Sequence, residues 1–194
     1  MEIIEGAPFP WRFRPHFHAG DEIVRIIAGR ARFRLKSLSC EVSAGETIIV
    51  PAGIIHRFEP VDNYGWSFAS EFVERPPGPQ TTSEGRKVRL AGRAAALMGD
   101  RSSLQTNVEA IAGDCAVSAG YLARVFRRET GTSLHNFHVL VALHRAKKLL
   151  RERAPVVEAA LEAGFYDQAH LTREFVRTFG MTPGTFRSAW AAAA

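Results

Sequence analysis

The stretch AGFYDQAHLTREFVRTFG, residues 163–180, repeats a pattern found 49 residues upstream. Leu122 falls on Leu171, Arg124 on Arg173, Phe126 on Phe175, Arg128 on Arg177, Gly131 on Gly180 and Phe137 on Phe186. Ser118 falls on Asp167, and both residue types cap helix N-termini by accepting a hydrogen bond from a first-turn N–H. Each unit therefore reads as a short helix (about 104–114 and 155–163), a turn, a capped second helix (119–130 and 168–179) and a glycine stop. Helical periodicity turns Leu122, Val125 and Phe126 inward and leaves Arg124, Arg127 and Arg128 outside. In the second unit it turns Leu171, Phe175 and Val176 inward and leaves Gln168, Thr172 and Arg173 outside.

A short helix, a tight turn and a second helix make a helix-turn-helix, which lays its second helix in the DNA major groove. Arginine reads guanine and glutamine reads adenine there through paired hydrogen bonds. Between the units a connecting helix is expected over 134–151, roughly 27 Å long at 1.5 Å per residue. A rod of that length can hold two recognition helices about one DNA turn apart. Charge agrees with this. Residues 85–194 carry 16 Lys/Arg against 9 Asp/Glu, whereas residues 1–84 carry 9 against 11, so the basic half is the one suited to a polyanion.

The first half has a different period. In GRARFRLK, Arg30, Arg32, Arg34 and Lys36 alternate with Ala31, Phe33 and Leu35, as in a strand with one face in water. The arginine row reads as a solvated face that discourages edge pairing. Turn signals at 19–21, 44–45, 51–53 and 62–65 divide residues 9–73 into several short strands, the pattern of a small antiparallel barrel or sandwich. The Pro- and Gly-rich stretch 74–87 reads as a linker.

Within the strands, HFHAGDE places His16 and His18 two apart, on one strand face, with Glu22 beyond a turn. A second block, Gly45-x5-Pro51-x-Gly53-x2-His56, adds a third histidine. Three imidazoles and one carboxylate suit Fe, Mn, Ni, Zn or Cu, and the set alone does not choose among them. The same four groups can also hydrogen-bond one another as the polar floor of a barrel.

The two blocks together resemble the paired motifs of the cupin superfamily, which implies a small β-barrel whose metal ligands would be His16, His18, Glu22 and His56. Pro10 and Pro60 stand where that pattern usually has glycine and asparagine. Residues 104–194 resemble the DNA-binding domain of the AraC/XylS family of bacterial transcription regulators, most specifically in AGFYDQAHLTREFVRTFG and GMTPGTFR. The resemblance implies base or backbone contacts from Arg124, Gln168, Thr172 and Arg173, and Arg127, Arg128, Asp167 and Arg177 complete the expected DNA-binding set. Gly120 and Ala123 occupy positions that often hold larger polar readers, and Ala142 one that is usually arginine.

The expected architecture is two domains. Residues 1–73 form an all-β cupin-like sensor barrel, 74–87 a linker, and 88–194 an all-α tandem helix-turn-helix domain. The expected function is sequence-specific transcription regulation, with a small molecule or metal ion sensed by the barrel. Expected partners are double-stranded DNA, an unidentified small-molecule effector and RNA polymerase, and the expected cofactor is one divalent transition metal. A monomer and a dimer through the barrels both stay open. The alternative is a metal-dependent cupin enzyme, a dioxygenase or isomerase, with an appended basic domain; no further carboxylate pair or nucleophile–base set supports it. The N-terminal residues show no apolar leader and no segment approaches 18 apolar residues, so a cytoplasmic protein without a membrane span is expected. Cys40 and Cys115 are too few and too far apart for a disulfide framework.

Overall fold

The computed structural model describes residues 2–9, 11–18, 20–36, 38–73, 86–100, 104 and 107–192. It divides into two compact units, Met1–Ser83 and Glu84–Ala194. Pro10 and the segment 74–85 of the expected linker lie outside the described residues.

The first unit is a six-stranded antiparallel arrangement of β1 (Glu2–Phe9), β2 (Asp21–Leu35), β3 (Leu38–Ser43), β4 (Thr47–Val50), β5 (Arg57–Pro60) and β6 (Trp66–Val73). β2 organises it. Its first part pairs with β4 and β6, and its second part, from Arg30, with β3 and β5. The change of partners falls beside a register shift at Ile26/Ala28 and beside Gly29, whose φ is +75°. A Cβ there would lie 2.4 Å from the Gly65 carbonyl oxygen, so the close approach of β6 requires glycine.

Alternation along β2 sends Glu22, Val24 and Ile26 inward, and Ala31 joins them beyond Gly29. The core is Val24, Ile26, Ala31, Val42, Phe58, Trp66 and Phe68, with Trp11, Phe13, Phe33 and Ile48 packed against it. Each fully buried large side chain contributes roughly 2–3 kcal/mol. The arginine row is not a bare edge, because β3 and β5 pair with it on both sides. Its side chains meet acidic partners on those strands and in the turn after β5: Arg32 with Glu41 at 3.0 Å, Arg34 with Glu59 at 2.7 Å and Arg30 with Asp62 at 3.4 Å.

The second unit is helical: α1 (Arg86–Gly99), α2 (Val108–Asp114), α3 (Ala119–Thr130), α4 (Leu134–Arg151), α5 (Val156–Glu162), α6 (Gln168–Phe179) and α7 (Pro183–Ala192). Arg86 and Lys87, placed by the sequence reading in the linker, already belong to α1. That helix buries Ala91, Ala94 and Met98 in one core with Ile111, Ala112, Cys115, Leu122, Phe126 and Leu134. α4 packs against α1 and α3 and also against α5, α6 and α7. Its Arg145 donates to the Gly99 carbonyl at the end of α1. Buried Lys147 lies over the rings of Phe179 and Phe186, at 4.8 and 5.0 Å. Ala142 is fully buried on α4, so its position is core and has no room to expose an arginine.

α3 and α6 are built alike. Ser118 accepts from the Tyr121 N–H and Asp167 from the His170 N–H, and each helix ends on a left-handed glycine, Gly131 at φ 78° and Gly180 at φ 74°. The turns that precede them differ by one residue. The first runs Cys115–Val117 with Ala116 at φ 55°, and the second Ala163–Tyr166 with Gly164 at φ 96°. One side chain departs from the amphipathic reading. Val176, expected inside, is 40% exposed, while Glu174 and Thr178 are buried beside Leu171 and Phe175.

Candidate functional site

The four metal-type side chains converge inside the first unit. His16 and His56 form an isolated bridge, each N–H donating to the other's carbonyl at 2.9 Å. The turn before His56 is tied back twice, by Gly53 N–H to the His18 carbonyl at 2.9 Å and by Ala52 N–H to Asp21 Oδ1 at 2.8 Å. Glu22 points inward from the start of β2. All four residues are buried, and their ligand atoms lie within 4.8 Å of one another. Rings of Phe13, Phe33, Phe58 and Phe72 stand against the histidines.

The hydrogen bonds around the rings fix their tautomers. Nδ1 of His16 lies 2.8 Å from the Arg14 carbonyl oxygen, and Nδ1 of His56 lies 2.9 Å from that of Ile54. A carbonyl can only accept, so both Nδ1 atoms donate and each neutral ring keeps its lone pair on Nε2. Nε2 of His56 nevertheless stands 2.9 Å from Glu22 Oε2, and Nε2 of His18 stands 3.3 Å from the same oxygen. A lone pair and a carboxylate at that separation need a proton or a metal cation between them. The donor set therefore fits a cation, with backbone carbonyls orienting two of the three imidazoles from behind.

Titration follows the same geometry. Burial first, then the neighbouring His56 and His18, hold the His16 imidazole well below its ordinary value. Burial alone would raise the Glu22 carboxyl, but hydrogen bonds and charge from His18 and His56 outweigh it and hold it well below the usual carboxylate range.

On the helical unit, Arg124, Arg127 and Arg128 of α3 and Gln168, Arg173 and Arg177 of α6 are all exposed. Arg128 pairs with Glu129 at 3.0 Å and Arg177 with Glu174 at 3.1 Å. Thr172 donates to the Gln168 carbonyl at 2.8 Å, and the Asp167 carboxylate is engaged as the α6 cap at 2.6 Å from the His170 nitrogen. Two exposed residues of α6 escaped the sequence reading, Ala169 and Val176. In the fold the buried set, Leu171, Glu174, Phe175 and Thr178, places them on the opposite face, and nothing in the sequence of α6 alone marks that set.

Comparison with known proteins assigns both units. The AraC-like ligand binding domain matches residues 2–70, and a helix-turn-helix domain matches residues 111–189. A transcriptional regulator of Rhizobium meliloti (strain 1021), GlxA, is 30% identical over 122 residues, which are 59% of this chain and 37% of that protein. Among solved structures, an AraC-type regulator from Chromobacterium violaceum covers 55% of this chain and 96% of its own at 25% identity and a TM-score of 0.50. ToxT from Vibrio cholerae covers 96% of this chain and 97% of its own at 8% identity, with a TM-score of 0.62, a likeness of fold. The chain spans about a third to a half of the length of the curated relatives it matches. Among the described residues no helix is long and apolar enough to cross a membrane.

Proposed function

The chain belongs to the AraC-type transcriptional regulators, and from that premise we propose that it binds duplex DNA sequence-specifically through two helix-turn-helix units, α2–α3 and α5–α6. The observation that carries this reading is the shared construction of α3 and α6. Each has a side-chain cap, a buried Leu–Phe pair, a left-handed glycine stop and an outward arginine at the same offset, Arg124 and Arg173. α4 is the spacer that lets both helices enter successive major grooves. Arg124, Arg127, Arg128, Gln168, Thr172, Arg173 and Arg177 supply the contacts to bases and phosphates, and Asp167 starts the second reader.

The β-sheet unit is the sensor, a cupin-type barrel. Its four buried groups would hold one divalent transition metal through His16, His18, Glu22 and His56. Bound there, the metal supplies a fixed positive charge and an electrophilic centre able to ligate a small effector. A metal-dependent enzyme would rest on the same four side chains, which are the metal-type cluster found among the described residues.

Selection from a random duplex library with the full chain tests the DNA reading. Enrichment of a site with two blocks about one helical turn apart is expected, and Arg173→Ala should cost about 1–3 kcal/mol at one block only. A library that stays random overturns the proposal.

A further inference from the structure

Resting on the reading of α6 as a recognition helix, we infer that Ala169 and Val176 form an apolar subsite that receives thymine 5-methyl groups in the major groove. The starting observation is the valine that the amphipathic pattern places inside and the fold leaves outside. The buried arc of α6 is Leu171, Glu174, Phe175 and Thr178. With 3.6 residues per turn, the opposite arc is centred on Ala169, Arg173 and Val176, spaced i, i+4 and i+7. All three are exposed.

A single exposed valine is ordinary on a protein surface. This one stands in the middle of a polar, basic face, one turn from Arg173, with Gln168 and Thr172 on one flank and Arg177 on the other. Its carbonyl closes the helix by accepting from the Gly180 N–H, while the residue itself stays 40% exposed. The groove that the face is proposed to enter is polar at every base edge except one: thymine presents an apolar methyl group there. An alanine and a valine flanking an arginine therefore match thymine methyls flanking a guanine. Gln168 at the start of the helix adds an adenine reader.

The first unit lacks this match. The slots of α3 equivalent to Ala169, Arg173 and Val176 are Gly120, Arg124 and Arg127, all exposed. Arginine stands where α6 carries valine, and no side chain stands at all where α6 carries alanine. Two helices of one architecture thus present different chemistry to the groove. The α3 half of the site is held by charge, and the α6 half is read partly by shape and methyl contact.

The test uses the duplex selected with the full chain. The α6 half is the one at which Arg173→Ala loses its guanine preference. Each thymine in that half is then replaced by uracil, which removes the methyl and leaves the pairing edge intact. Affinities are measured for wild type and Val176→Ala, whose fold is checked by circular dichroism. Wild type should lose about fourfold per methyl at one or two positions, the value of one buried methyl-sized group. At the position facing Val176 the loss should disappear in Val176→Ala, while the salt dependence of binding stays that of wild type. Uracil tolerated throughout, no thymine in the α6 half, or an equal uracil penalty in Val176→Ala overturns the subsite and leaves DNA recognition standing. A selection that enriches no sequence overturns the recognition reading itself, and the subsite with it.

Discussion

Acid should loosen the β-sheet unit well above the usual range of carboxylate titration, with His16 as the cause. In the folded protein the His16 imidazole is held well below its ordinary value by burial and by its histidine neighbours, whereas the unfolded chain takes up that proton near pH 6.5. Between those two points the unfolded state binds one proton that the folded state refuses. Stability therefore falls as pH falls, by up to about 1.4 kcal/mol per pH unit. Glu22 acts in the same direction at lower pH. Its folded carboxyl lies below the unfolded value of 4.5, so its contribution is complete above that value and is lost as pH drops through the folded one. Between pH 7 and pH 5 the metal-free protein should lose up to about 2 kcal/mol, the full slope acting over roughly one and a half units below pH 6.5. The assay is urea unfolding in EDTA, followed by tryptophan emission in a Trp190→Phe background, where Trp11 and Trp66 both report on the β-sheet unit. His16→Gln should remove most of that pH slope whatever it does to the baseline. Stability that is flat or rising from pH 7 to pH 5, or a slope that His16→Gln leaves intact, refutes the reasoning.

Untagged protein should carry about one divalent transition metal per chain by elemental analysis, and His56→Ala about none, because the substitution removes one of the four ligand side chains, the one 2.9 Å from Glu22 Oε2. At a hundredfold excess over its dissociation constant, that metal should raise the stability of the β-sheet unit by about 2.7 kcal/mol; unchanged urea midpoints with Zn, Ni or Mn would argue against the site. Gly29→Ala should cost the same unit about 2–4 kcal/mol, combining a left-handed backbone with a Cβ set against the Gly65 carbonyl. A loss under 1 kcal/mol would mean that β6 moves aside freely. Ala116→Gly should stabilise the helical unit by about 0.5–1 kcal/mol, because Ala116 sits at φ 55° in the first turn. Destabilisation there would contradict the turn geometry.

The sequence made some parts of the molecule legible and hid others for definite reasons. The starts and stops of α3 and α6 are local chemistry, a capping side chain and a left-handed glycine, so Ser118, Asp167, Gly131 and Gly180 could be read directly. The convergence of His16, His18, Glu22 and His56 was legible from the two cupin-like blocks taken together, not from strand spacing, since His16 and His18 lie outside the named strands and His16 meets His56 in an isolated bridge. Strand β1 was not, since Glu2–Phe9 has no clean alternation and takes its place from pairing with β6. The arginine row was legible as a solvated face, which it is, but not as an interior strand with acidic partners, because only the pairing of β2 with β3 and β5 brings Glu41 and Glu59 beside it. Val176 misled for a tertiary reason. α6 is covered by α4, α5 and α7 together, and Phe186 of α7 lies 5.7 Å from Phe175, so the buried arc turns toward Glu174 and Thr178. No pattern within α6 alone carries that information.

On the proposed function, the basic helical unit grips the DNA backbone while α6 and α3 read its grooves. The most direct measurement is the affinity of the full chain for a duplex across a salt series. If four to six of the exposed arginines reach phosphates, log K should fall linearly with log salt, with a slope of roughly −4 to −5. Arg127→Ala should make that slope shallower by about one. Affinity that does not change with salt, or no binding at low salt, would contradict the account.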